Sequence, residues 1–300
     1  MNAINASMSG GQLGLKAIAG LGLAAVGAAC GGDAFTTAEP DGAVVGVETK
    51  VPEGSPDDAL TTASPDAGAG WCATQSPTHT FCEDFLRGVP GKFVGVTIGA
   101  MLERDPTDYE SPPQSMAAVT LALPKKGDSA TALGTRDFSS ATGTQFTLAS
   151  YFKVASSCFP TNGGYDPVSI AILEFPEQGY GIAIDVTPSG GELVEATTGA
   201  DGGLAGSPRV TSFNAANLLD GWRLWTLTID GGLAKSVSLS VDGAAVIPAH
   251  TTLRAAAVLL QHPTLLLGAN VKNDQGLSAG CRVNVDDVLF DVKSVATPAN

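Results

Sequence analysis

Basic residues are scarce: 16 Lys and Arg stand against 30 Asp and Glu, a formal net charge of −14. That balance excludes nucleic acid as a partner, because phosphate binding needs a basic face. Histidine is scarcer still. His79, His250 and His262 are scattered, and no cysteines are spaced Cys-x-x-Cys, so a zinc site has no ligand set to draw on. A Gly-x-Ser-x-Gly elbow for a nucleophilic serine is absent. The glycine pairs at 190–191, 202–203 and 231–232 precede no helix start, which leaves them as turn glycines and not a phosphate cradle. No repeat of 20–50 residues appears, so propellers and solenoids are excluded. Aromatics are only 6% of the chain, leaving few rings to spare from a core. Glycine (37) and proline (18) are plentiful and 44% of residues are apolar, which suits a core divided by many turns within 300 residues.

After Lys16 comes Ala17–Ala29, an uncharged and largely apolar stretch of 13 residues that runs up to Cys30. It is too short to span a bilayer as a helix of about 20 residues, and it fits the apolar region of a secretory signal. Gly27, Ala28 and Ala29 are all small. The stretch Leu23–Cys30 resembles a bacterial lipobox, departing from it in having Gly27 where Leu, Val or Ile is usual. The resemblance implies that residues 1–29 are a signal peptide and that Cys30 carries lipid. The protein would then be exported and held at the bacterial outer membrane or cell surface by an N-terminal lipid anchor. Ordinary cleavage after Ala29 would instead leave it periplasmic or extracellular, with Cys30 a spare thiol. Residues 30–70 follow as an acidic tether, with Asp33, Glu39, Asp41, Glu48, Glu53, Asp57, Asp58 and Asp66 against Lys50 alone. Such a segment cannot offset its ordering entropy and is expected to be disordered and extended.

Five cysteines make an odd count. If Cys30 is acylated, then Cys72, Cys82, Cys158 and Cys281 remain, an even set for an oxidising compartment. Three pairings are open. The favoured one joins Cys72 to Cys82 across a short local loop and Cys158 to Cys281.

From Trp71 onward the pattern is that of strands. The clearest unit runs from Trp222 to Gly243. Trp225, Leu227 and Ile229 alternate with threonines, and after a glycine turn Val237, Leu239 and Val241 alternate with serines. Phe146, Leu148, Ser150, Phe152 and Val154 share one face of another strand. Further strands are expected at 81–85, 92–98, 115–123, 168–175, 180–187, 192–198, 244–247 and 264–269. Residues 102–113 and 199–208 read as loops, 214–220 as a single helical turn, and 252–261 has helix-like spacing. In Arg282–Val292, Val283 and Val285 have one parity but Val288, Phe290 and Val292 the other. A strand can bury both sets on one face only with an inserted residue, so a bulge is expected at Asp286-Asp287. About eleven short strands at this spacing make an all-β, antiparallel two-sheet sandwich over residues 71–296.

The Gly221-Trp222 to Asp230 strand, the Val237-Ser-Leu-Ser-Val-Asp242-Gly243 strand and turn, the closing Val285–Phe290 and the opening Phe81-Cys-Glu-Asp-Phe85 together resemble the concanavalin A-like jelly roll, within it the laminin-G-like modules. The resemblance implies two curved sheets and a concave face that meets a glycan or protein. It also implies a rim calcium ion, for which Asp166, Asp185, Asp230 and Asp242 are candidates, although turn aspartates have local reasons to exist; no metal ligand set can be assigned. The hydrolases of this fold use Glu-x-Asp-x-x-Glu, which is absent. Glu174/Glu177 and Glu192/Glu195 are each three apart and so point to opposite faces of a regular strand. For sugar binding, Asn162, Tyr165 and Asp166 make the best local set, with Tyr180 second, while Trp222 and Trp225 are expected in the core. The expected role is a non-catalytic, envelope-anchored module that binds or adheres to a polysaccharide or surface protein. The alternatives are a glycoside hydrolase or lyase without a recognisable motif, or a structural envelope protein.

Overall fold

The computed structural model describes residues 70–140, 143–160, 165–199, 205–231, 235–253, 260–274 and 280–294. The signal stretch, Cys30, nearly all of the tether, Asn162 and most of the helix-like stretch 252–261 lie outside the described residues. A one-turn helix, α1 (Trp71–Thr74), precedes fifteen strands. The first eight are β1 (Phe81–Glu83), β2 (Val94–Ile98), β3 (Ala100–Asp105), β4 (Ser115–Thr120), β5 (Ser129–Asp137), β6 (Gln145–Val154), β7 (Val168–Phe175) and β8 (Tyr180–Thr187). Then come β9 (Gly190–Thr197), β10 (Arg209–Asn214), β11 (Arg223–Asp230), β12 (Ser236–Val241), β13 (Ala244–Thr251), β14 (Thr264–Lys272) and β15 (Cys281–Lys293).

They form two antiparallel sheets. One has the order β13-β12-β11-β6-β15-β4-β3, with β1 also paired to β15; the other has the order β10-β9-β8-β7-β14-β5-β2. Alternation does what it should: β6 buries Phe146, Leu148, Ser150, Phe152 and Val154 and turns the residues between them outward. The β11–β12 hairpin pairs Trp225 with Val241, Leu227 with Leu239 and Ile229 with Val237, all inward. Trp225, Phe146, Phe152, Phe175 and Phe290 are among the largest wholly buried side chains, and truncating any of them would cost about 3–5 kcal/mol.

The bulge lies where the parity switch in the sequence puts it. Asp286 faces Tyr151 and Leu289 faces Ala149, three steps along β15 for two along β6. Asp287 takes a positive φ of 49°. At the same point β15 exchanges its other neighbour, pairing with β4 up to Val285 and with β1 from Val288. Both aspartates are buried and fasten the 106–114 loop. Asp286 accepts the backbone N–H groups of Glu110, Ser111 and Asp287, and Asp287 accepts the Ser111 hydroxyl.

Several expectations need correction. Residues 102–105 of the expected loop belong to β3; its charged side chains join a network in which Arg282 bonds Glu103 and Asp105, and Asn284 bonds Asp105 and Ser115. Residues 214–220 make a turn with left-handed Asn217 and Asp220, not a helical turn. Trp222 is not in the core. It is partly exposed, and its indole N–H donates to Asp108, which also pairs with Lys153 at 2.6 Å. The disulfides join Cys72 to Cys82 and Cys158 to Cys281, tying α1 to β1 and the turn after β6 to the first residue of β15. Among the described residues no helix is long and apolar enough to cross a membrane.

Candidate functional site

The two sheets differ on the faces they turn away from each other. In the seven-stranded sheet, Leu133, Ile172, Ala183, Val194, Ala196 and Leu266 form an apolar cluster separate from the inter-sheet core. Beside this cluster runs a row of polar side chains in cross-strand register. Thr131 pairs with Asn270, Asn270 with Ser169, Ser169 with Asp185, Asp185 with Glu192 and Glu192 with Ser212. Six strands at about 4.8 Å spacing make this row roughly 24 Å long. Parity puts all six side chains on the outer face, and some are already linked. The Thr131 hydroxyl donates to Asn270 Oδ1 at 3.0 Å, and the Ser212 hydroxyl to Glu192 at 3.3 Å.

Asp185 is the centre of the row. It is 9% exposed, and its Oδ1 has no hydrogen-bond partner among the described residues. Burial pushes its carboxyl up to about 6, Glu192 adds to the shift, and a hydrogen bond from Ser169 and the charge of Lys272 oppose it. Lys272 stands on the same face of β14. Burial pulls its ammonium down, while Asp274, Asp185 and Asp166 push it back up. Beyond the apolar cluster lies Glu174, raised to about 7 by burial and by Asp137.

The sequence-predicted residues fall on both sides of this result. Tyr165 is 41% exposed and packs edge-on against Phe159. Asp166 accepts the backbone N–H of Asp274, which places their loop at the Lys272 end of the row. Tyr180, expected as a second ligand-binding ring, is 3% exposed and faces the inter-sheet core, so it offers no ring face to a sugar. Its hydroxyl donates to Glu195 at 2.6 Å. Glu192 and Glu195 do point to opposite faces: Glu192 joins the row, while Glu195 turns inward. The calcium candidates are dispersed. Asp185 is mid-strand, Asp166 is in the loop, Asp230 ends β11, and Asp242 caps its own turn by accepting Leu224 N–H and pairing with Arg223. Among the described residues no three His, Cys, Asp or Glu side chains are grouped to hold a metal ion.

Sequence reasoning missed Thr131, Ser169, Asn270 and Lys272. One signal was available: in Thr264–Lys272, Asn270 and Lys272 share a parity that is polar inside an otherwise apolar strand.

The carboxylates also set how stability varies with pH. Burial, with neighbouring acids, raises Asp286 and Glu174 to about 7 and Asp287 and Asp185 to about 6. Each therefore binds its proton more tightly folded than unfolded. Their contribution is fully present below about pH 4 and is lost as pH rises through 6 and 7. Asp105 acts oppositely: hydrogen bonds from Arg282, Asn284 and Thr107 outweigh its burial and hold it well below the usual range, so its contribution is lost as pH falls below about 4. Thermal unfolding followed by circular dichroism should show greatest stability near pH 4–5 and a progressive loss from there to pH 8. A flat or rising profile from pH 5 to 8 would contradict the burial of these groups.

No protein-family model matches the sequence, and no curated protein matches it. Solved structures do. An endo-β-1,4-glucuronan lyase from the fungus Trichoderma reesei is similar over 72% of this chain and 96% of that one, with a TM-score of 0.51 and 12% identity. The alginate lyase A1-II', a member of polysaccharide lyase family 7, is similar over 60% of this chain and 81% of that one, with a TM-score of 0.44 and 7% identity. A botulinum neurotoxin serotype D binding domain matches over 61% of this chain but only 40% of its own, with a TM-score of 0.37 and 13% identity. At such identities the likeness is one of fold, and with the glucuronan lyase it agrees with the two antiparallel sheets: the chain folds as a jelly-roll β-sandwich, consistent with a concanavalin A-like fold.

Proposed function

We propose that the domain binds a neutral glycan without altering it chemically, with the sugar chain lying along the Thr131–Ser212 row. The observation that carries this reading is Asp185, a buried carboxylate with one unpaired oxygen at the centre of a line of hydroxyl, amide and carboxylate groups. An acceptor-rich row is satisfied by a ligand that presents many O–H donors. The fold supports the same reading, since the similar glucuronan lyase is named for a polysaccharide.

That lyase also motivates the second reading, cleavage of a polyuronate. Charge argues against it. Asp185, Glu192, Glu174 and Asp137 face outward from these strands, and Lys272 is the one basic side chain they turn outward among the described residues. A uronate about 6 Å from Asp185 would meet roughly 3 kcal/mol of repulsion at an effective dielectric of about 20.

A glycan array probed with the full chain tests this. Neutral polysaccharides should be retained, and Asp185→Asn should weaken retention at least tenfold while leaving the melting temperature unchanged or higher, because it removes a destabilised buried charge. Failure to bind any polysaccharide would overturn the binding reading. Release of unsaturated sugar ends from a polyuronate would favour the lyase.

A further inference from the structure

On the opposite side of the sandwich, the outer face of the eight-stranded sheet gathers three partly exposed aromatic rings. Tyr151 points outward from β6, and its cross-strand neighbour Leu224 lies two residues after Trp222. Tyr109, 38% exposed, sits in the 106–114 loop beside Asp108, the residue that accepts the Trp222 indole N–H. That loop is pinned to Asp286, whose partner across β6 is Tyr151. Three elements distant in sequence thus bring the rings to one place. None of the three belongs to a ring–ring pair among the described residues, whereas Tyr180, Trp225 and the buried phenylalanines other than Phe152 do.

The polar groups around the rings are already in place. Asp108 is held by Lys153 at 2.6 Å and by Trp222 at 3.2 Å, which fixes the indole before any ligand arrives. Glu110 is exposed beside Tyr109, and Arg223 pairs with Asp242 at the end of β11. Orienting a ring in advance lowers the entropic cost of binding to it. Partly exposed aromatic rings flanked by carboxylate and ammonium groups suit a pyranose, which offers an apolar C–H face and a rim of hydroxyls.

We infer that Tyr109, Tyr151 and Trp222 form a second sugar-binding platform, which stacks on the C–H face of a neutral pyranose. The platform stands independently of the polar row. If both operate, the domain holds two glycan segments on opposite sides at once, because the two sheets turn these faces away from each other.

Trp222 is a built-in reporter, one of three tryptophans with Trp71 and Trp225. The full chain would be titrated with neutral glucan, mannan, galactan and xylan oligosaccharides, following tryptophan emission alongside calorimetry. At least one should shift the emission. Trp222→Phe should abolish the shift, Tyr151→Ala should weaken the binding at least tenfold, and Tyr151→Phe should restore it. Asp185→Asn should leave the shift intact and lower the calorimetric stoichiometry from two to one. Trp222→Phe keeps an aromatic ring at this position, and an unchanged near-ultraviolet dichroism of Trp225 verifies its fold. The inference is overturned if no oligosaccharide shifts the emission, or if the shift survives in Trp222→Phe. A stoichiometry of one in the unmodified chain, abolished by Trp222→Phe and untouched by Asp185→Asn, would sink the polar-row reading and leave the platform standing.

Discussion

Replacing both Cys158 and Cys281 by alanine lowers the free energy of unfolding by about 5 kcal/mol, against about 3 kcal/mol for the Cys72/Cys82 double variant. The difference follows from chain length. The first bridge spans 123 residues and the second 10, and a longer closed loop removes more conformational freedom from the unfolded chain. Both Cys158 and Cys281 are buried, so the truncation also removes core contacts. Against a total of about 5–15 kcal/mol for a domain, the longer bridge decides whether the sandwich persists at all. Urea unfolding in non-reducing buffer measures both variants. Equal costs, or a larger cost for the short bridge, would refute the ordering.

The second large effect is expected at Glu195. It lies 1% exposed at the margin where β9 and β10 meet β13. Four groups from four places converge on its carboxylate: the Tyr180 hydroxyl, the Arg209 guanidinium, His250 Nε2 at 3.3 Å and the backbone N–H of Leu253. Arg209 reaches on to the Thr251 carbonyl, so the cluster fastens the last strand of one sheet to the margin of the other. Glu195→Gln keeps the volume but leaves Arg209 without its counter-charge. Breaking a buried pair by removing one partner costs about 3–5 kcal/mol. Arg223→Ala breaks the half-exposed pair with Asp242 and should cost at most about 1 kcal/mol. Chemical denaturation of the two variants side by side is the measurement. If Glu195→Gln costs no more than Arg223→Ala, the cluster does not clamp the sheets.

The fold was legible where burial is one-sided and bulky. Phe146–Val154 and the Trp225–Val241 hairpin announce their inward faces, and the parity switch in β15 announces its bulge. The strands that escaped notice lack those signals. β5 reads Ser-Ala-Thr-Ala-Leu-Gly-Thr-Arg-Asp because its inward positions Ala130, Ala132 and Gly134 pack under larger neighbours; a Cβ on Gly134 would come within 3.1 Å of Phe93. β3 and β10 are edge strands, and neither alternates bulky apolar residues with polar ones along its length. The candidate site was nearly illegible for a different reason. Thr131, Ser169, Asp185, Glu192, Ser212 and Asn270 become neighbours only through the sheet order, and no local pattern predicts which strand lies beside which. Trp222 was misread because tryptophan is so often core, and only the tertiary placement of Asp108 shows otherwise.

The exchange of neighbours along β15 carries a consequence for biosynthesis. This strand comes after all the others in chain order, yet it sits inside the eight-stranded sheet, bonded to β6 on one side and to β4 and then β1 on the other. A ribosome delivers it last. Until then β1 has no strand to pair with and β6 and β4 lack the one between them, so the eight-stranded sheet cannot be finished. Completion must wait for Cys281–Lys293 to emerge, so folding of this domain is governed by its most distant contacts.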